Sequence, residues 1–169
     1  MGASLADGWY AGVLFTHAKP QRGNYGFNRR LLAQLQIAYT DGTTDTIFTD
    51  ESWKILKDGP IKEASIFDGE VFDARYEPED WLKPGFDDGC WDKATADYTV
   101  SVTLNAQMNE AIKVVDEIKP LHVFEVAKGT YIFDMGQNMA GWTKLSIPYN
   151  PGRKIVFRYG EMLDEDSTL

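Results

Sequence analysis

Cysteine, histidine and long apolar runs are what this sequence of 169 residues has least of. Its single cysteine, Cys90, excludes an intramolecular disulfide and any multi-cysteine metal cage. The two histidines, His17 and His122, stand too far apart to supply a common zinc motif, so catalytic zinc is not expected. No stretch approaches the roughly 20 apolar residues that cross a bilayer as a helix. The first residues, MGASLADGWY, lack a basic segment followed by an apolar one, and the compartment stays open. Positive charge is scarce as well: 17 Lys and Arg face 26 Asp and Glu, a net charge of -9. With no Lys/Arg-rich run to offset it, that field repels phosphate backbones and acidic membranes, so neither nucleic acid nor membrane is an expected partner. Helical periodicity, internal repeats and low-complexity tracts are also missing.

What remains is a globular composition, 43% hydrophobic and 13% aromatic, in which the dominant pattern has period two. In residues 30–39 the side chains of Leu31, Ala33, Leu35, Ile37 and Tyr39 fall on one face, and Gln34 and Gln36 on the other. Asp41-Gly42 follows, a dipeptide suited to a tight hairpin because glycine accepts positive φ, and Thr44, Thr46 and Phe48 resume the alternation. Further strands are expected over 52–56, 61–67 and 71–75, separated by Asp58-Gly59-Pro60 and Asp68-Gly69. Residues 77–94 read as a loop with one short helical turn near 88–91, and 98–104 alternate again. A charged stretch over 111–118 ends at Lys119-Pro120, where a module boundary is expected because the residue before proline avoids helix. Beyond it lie strand candidates at 121–126, 130–135, 142–147 and 154–159. Short strands at regular spacing imply an all-β chain of two β-sandwich modules, 1–118 and 119–169.

Sugar sites combine an aromatic platform for the C–H face of the ring with amides and carboxylates for its hydroxyls. Asp7, Trp9 and Tyr10, with Asn24 and Tyr25, fit that chemistry and lie close in sequence. The aromatics equally suit a core position at a strand end, and Asn24 a simple turn. Hydrolysis of a glycoside needs two flanking carboxyls. Glu70 with Asp73 is the most suggestive pair, but an Asp73–Arg75 ion pair is the better account of those residues. Asp87-Asp88-Gly89 and Asp164-Glu165-Asp166 lack calcium-loop spacing and read as solvated turns. Trp53, Trp81 and Trp91 read as packing residues. The string Asp134-Met135-Gly136-Gln137-Asn138 reads as a bend at Gly136 at a domain interface.

Three ordered segments carry a resemblance: LADGWYAG (5–12) with NYGFNRRLLAQLQIAYTDGTTDTIFTDESWK (24–54), SIFDGEVFDAR (65–75) with WLKPGFDDGCWDKA (81–94), and GTYIFDMGQNMAGWTKLSI (129–147) with PGRKIVFRYGEMLDEDSTL (151–169). Together they resemble the bacterial α-L-rhamnosidase family. The resemblance implies a jelly-roll-like, carbohydrate-binding N-terminal module lacking its first strands, then the start of a second sandwich, with the catalytic helical barrel absent. It implies a non-catalytic fragment that binds L-rhamnose and positions domains; the alternatives are a stand-alone lectin-like module and a small carboxylate-dependent glycosidase. It further implies a calcium ion bound with the sugar, for which Asn24 best matches an amide ligand and the carbonyl near Arg29 is a weaker match. An open sheet edge would suit a homodimer.

Overall fold

Local backbone pairing organises the chain. The computed structural model describes residues 1–14, 21–148 and 150–164; His17, Glu165 and Asp166 lie outside them. The chain divides into two units, Met1–Val102 and Thr103–Leu169. Both are all-β, with antiparallel ladders throughout, as the period-two pattern requires. Among the described residues no helix is long and apolar enough to cross a membrane.

The first unit opens with a single helical turn, α1 (Gly8–Ala11), and then builds three two-stranded ladders. Strands β1 (Gln34–Ala38) and β2 (Thr44–Phe48) pair in the register Gln34↔Phe48 to Ala38↔Thr44. Their loop closes as the Asp41-Gly42 signal predicts. Gly42 takes φ 85°, and the Asp41 carboxylate accepts the Thr43 N–H at 2.9 Å and its hydroxyl at 2.7 Å. Those bonds hold the Asp41 carboxyl below its ordinary range. Strands β3 (Lys54–Ile55) and β6 (Asp92–Lys93) join residues far apart in sequence. Lys54 there faces Lys93, and the negative charge beside them is Asp92, whose carboxylate pairs with Lys57 at 2.8 Å. Strands β4 (Ile61–Ser65) and β5 (Gly69–Phe72) turn at Asp68-Gly69, with Gly69 at φ 79°.

Two expectations change in detail. The strand expected over 71–75 ends early in a 3-10 turn, Ala74–Tyr76, because the Asp73 carboxylate caps it by accepting the Arg75 N–H at 3.1 Å. The segment 88–91 is not helical; one hydrogen bond, Trp91 N–H to the Asp88 carbonyl at 2.9 Å, closes a turn. Around it Trp91 packs on Trp81 and Phe86, with ring centroids 6.3 and 5.5 Å away.

In the second unit, β7 (His122–Ala127) and β8 (Thr130–Asp134) form a hairpin turning at Gly129, φ 78°. The Glu125 carboxylate accepts the Gly129 N–H at 2.7 Å, beside a register shift between Glu125 and Ala127. The expected strands at 98–104, 142–147 and 154–159 carry no ladder. Alternation specifies a strand only when another segment supplies its hydrogen bonds, and among the described residues none pairs with these.

Core formation is minimal. Among the described residues the buried apolar side chains are Ala11 and Val13, 5% and 9% exposed. The chain presents 15358 Å² of surface, where two folded units of these lengths would together present about 10,000 Å² by the usual scaling. Both faces of the β7–β8 hairpin are apolar. Val123 and Phe133 lie opposite one another on one face, 52% and 51% exposed, and Phe124 and Ile132 lie on the other.

Such faces and free strand edges favour association. The chain is expected to self-associate, giving sedimentation coefficients that rise with concentration; a single monomeric species at high concentration would count against this. A second expectation concerns acid. Arg75 donates to both oxygens of Asp73, at 2.9 and 2.6 Å, and holds its carboxyl down to about 2 from 3.8. A depressed carboxyl stabilises the fold above its unfolded value, and that contribution fades as pH falls from 3.8 towards 2. The Asp73 carboxyl resonance should titrate near 2 and return towards 3.8 in Arg75→Gln; an unshifted midpoint in the native protein would show that the pair does not hold.

Candidate carbohydrate-binding site

The best-packed part of the first unit is also where the sugar-site candidates lie. Gly8, at φ 49°, begins α1, whose turn closes through Ala11 N–H to the Asp7 carbonyl at 3.0 Å and Gly12 N–H to the Gly8 carbonyl at 3.2 Å. Gly12 sits hard against β4: a side-chain carbon placed there would stand 2.9 Å from Cβ of Ser65. Val13 then pairs with Arg22 in an isolated antiparallel bridge. From there residues 22–29 fold back beside the turn, with Gly23 N–H donating to the Ala11 carbonyl at 3.0 Å and Tyr25 N–H to the Tyr10 carbonyl at 3.4 Å.

This doubling-back brings Trp9, Tyr10, Asn24 and Tyr25 onto two adjoining segments. Trp9 is 52% exposed and Tyr25 66%, so their rings are open to a ligand rather than built into a core. Glycine is required at two points of the second segment. Gly26, at φ 129°, lets the Tyr10 hydroxyl approach to 2.7 Å of where a Cβ would be, and Gly23, at φ 70°, lies under the Phe27 ring. The Asn24 side-chain N–H donates to the Gln21 carbonyl at 3.3 Å, a local bond that fits a turn residue and a ligand-facing amide equally.

Asp7 is engaged otherwise than its residue type suggests. It occupies the N-cap of α1 but makes no side-chain cap bond. Its carboxylate pairs with Arg29 and lies 3.9 Å from Arg22, whose guanidinium reaches the Asp68 carboxylate at 2.9 Å. Asp68 in turn accepts the Ser65 hydroxyl at 3.0 Å. In the sequence Arg29 reads as a possible carbonyl ligand and Asp68 as a turn residue, but nothing there signals the ion pairs that link them to Asp7 and Arg22, since partners such as Asp7 and Arg29, 22 residues apart, leave no local signature. The one available hint is that arginines cluster there in a strongly acidic chain.

A calcium ion takes six to eight oxygens. Here Asn24 offers one amide oxygen, Asp7 is paired with arginine, and no group of three or more His, Cys, Asp or Glu side chains gathers among the described residues. The described residues do not by themselves make a calcium site.

The other candidates resolve into structural roles. Asp73 is bound to Arg75, while Glu70 sits in the β5 ladder opposite Ala64. Asp87 closes its own turn by accepting the Gly89 N–H at 2.9 Å, and Trp53 donates to the Phe48 carbonyl at 2.9 Å. In the second unit Gly136 makes the expected bend at φ 72°, held by the Asp134 carboxylate and roofed by Leu121. The shallow depression beside it, lined by Asn138, Met139, Ala140 and Glu161, has no aromatic face for a sugar.

Comparison with known proteins points the same way as the motifs. Residues 1–116 match the α-L-rhamnosidase N-terminal domain, and residues 124–169 the bacterial α-L-rhamnosidase concanavalin-like domain. An α-L-rhamnosidase of Alteromonas sp. is 37% identical over 96% of this chain, and one of Streptomyces avermitilis 35% identical over all of it. The chain spans 18% and 16% of those relatives' lengths. The crystal structure of the Streptomyces avermitilis α-L-rhamnosidase complexed with L-rhamnose superposes with a TM-score of 0.66 at 36% identity, over 79% of this chain and 13% of that one. Native α-L-rhamnosidase from Aspergillus terreus gives 0.64 at 32% identity, over 78% and 15%. By sequence and by fold, this chain belongs to the α-L-rhamnosidase family.

Proposed function

We propose that this chain serves an α-L-rhamnosidase as a non-catalytic unit that binds L-rhamnose-containing carbohydrate and positions neighbouring domains. The observation that carries the reading is that Trp9, Tyr10 and Tyr25 are exposed on two segments tied by backbone hydrogen bonds. A deoxyhexose has C–H groups and a methyl on its ring and hydroxyls around its rim. Open aromatic rings match the first, and the Asn24 amide matches the second. The solved Streptomyces relative was crystallised with L-rhamnose, which makes that the sugar to test.

Hydrolysis is a poorer reading. It needs two carboxyls free to act on one bond, and the pair nearest that description has Asp73 locked to Arg75. Calcium enters the proposal only as an ion for which Asn24 supplies one ligand, the others coming from sugar hydroxyls or other polypeptide. A stand-alone lectin-like module is the second reading, favoured by the placing of Trp9, Tyr10, Asn24 and Tyr25 on two hydrogen-bonded segments of this chain.

Calorimetric titration with L-rhamnose, with and without calcium, tests the proposal. Binding is expected to weaken about tenfold in Trp9→Ala, or ~1.4 kcal/mol, and any calcium-dependent part should vanish in Asn24→Ala. Absence of heat under both conditions would overturn the binding role. Incubation with an aryl α-L-rhamnoside should give no turnover; turnover abolished by Glu70→Gln would replace this reading with a hydrolase.

A further inference from the structure

Aspartate is among the preferred N-cap residues because its carboxylate can accept the free N–H groups of the first helical turn. Asp7 stands at that position and leaves those groups alone. Its oxygens go instead to Arg29 and Arg22, both on the segment that folds back along the turn. Arg22 continues to Asp68 at the β4–β5 turn, and Asp68 holds Ser65, against which Gly12 packs. Four alternating charges, Arg29, Asp7, Arg22 and Asp68, thus tie together three separate pieces of chain: residues 7–13, residues 22–29 and the β4–β5 turn.

The backbone bonds between the first two pieces show where such a tie is needed. At the inner end Gly23 and Ala11 bond at 3.0 Å beside the Val13↔Arg22 bridge, next to the two buried residues. At the outer end, where Tyr10 meets Tyr25, the bond lengthens to 3.4 Å. Nothing apolar is buried at that end: Trp9, Tyr10, Tyr25 and Phe27 are all exposed. The Asp7–Arg29 pair joins the outer ends of the same two segments.

We infer that this ion chain is a positioning device. It holds the Trp9–Tyr10 turn and the Asn24–Tyr25 segment at a fixed separation before a ligand arrives, and so sets affinity for a neutral sugar. The inference rests on the carbohydrate-binding reading above. Two positive and two negative groups cancel, so the cluster offers no net charge to steer an ionic ligand. Its benefit is preorganisation, in that segments already fixed need not be ordered on binding. The arginine side chains are 47–48% and the carboxylates 23–25% exposed, so each pair alone is a weak restraint.

The test uses two charge-removing variants, Asp7→Asn and Arg29→Gln, with Arg29→Lys as the charge-keeping control. Two readouts are taken: hydrogen exchange at the Tyr25 and Gly23 amides, which needs no sugar, and calorimetric affinity for L-rhamnose. Each charge-removing variant should speed exchange at Tyr25 about threefold while leaving Gly23 nearly unchanged, and weaken rhamnose binding by a similar factor. Arg29→Lys should retain much of both the slow exchange and the affinity, and 1 M salt should shrink the difference between native and charge-removed protein. Unchanged Tyr25 exchange in both charge-removing variants, or Arg29→Lys no better than Arg29→Gln, would overturn the inference. If the native chain binds no rhamnose, the functional reading and the affinity claim fall together, while the exchange data still decide whether the ion chain fixes the two segments.

Discussion

Hydrogen bonding between segments that turn back on themselves is the constraint on which this structure depends. Among the described residues three of four ladders join strands consecutive in sequence, and a glycine at positive φ lies at each of their turns: Gly42, Gly69 and Gly129. Where apolar contact is scarce, a chain keeps order most readily where closing a short loop costs little entropy, and the long-range β3–β6 ladder is accordingly just two residue pairs long. The same economy explains the candidate site. Residues 7–13 and 22–29 hold together by a short ladder around Ala11 and Val13, and ionic contacts extend that hold outward to the exposed aromatics.

That dependence decides what the sequence makes legible. Leu35, Ile37 and the Asp41-Gly42 signal sufficed to place β1 and β2, because strand, turn and partner lie within 15 residues. The β3–β6 pairing escaped notice, since Lys54 and Lys93 share no local pattern. Residues 142–147 and 154–159 alternate as strands do and yet join no ladder among the described residues, because a hydrophobic period records which face is meant to be covered and not what covers it. The 3-10 turn after β5 was missed although Asp73 and Arg75 had been read as a pair: capping by Asp73 ends the strand, a backbone consequence that side-chain pairing does not announce. At the candidate site the residue types near Trp9 and Asn24 were readable as sugar chemistry, whereas the ionic frame around Asp7 depends on distant partners and became visible only in three dimensions.

Family membership gives these features a common setting. The chain matches two successive domains of much longer α-L-rhamnosidases, and its exposed apolar faces occur in both units. Buried area would normally select one arrangement of a β-domain over its competitors, so the hydrogen-bonded turns described here bear more of that selection than in a domain with a full core.

The β7–β8 hairpin shows this most sharply. In a strand with one oily and one wet face, slipping the pairing by a single residue throws every apolar side chain into water, and that penalty fixes the alignment. Val123 and Phe133 on one side, with Phe124 and Ile132 on the other, remove most of the penalty, because a slipped hairpin would present two faces about as apolar as before. Alignment must therefore be encoded at the loop: the left-handed Gly129, the Glu125 carboxylate that grips its N–H, and the register shift beside it act as the index mark from which the whole ladder is counted.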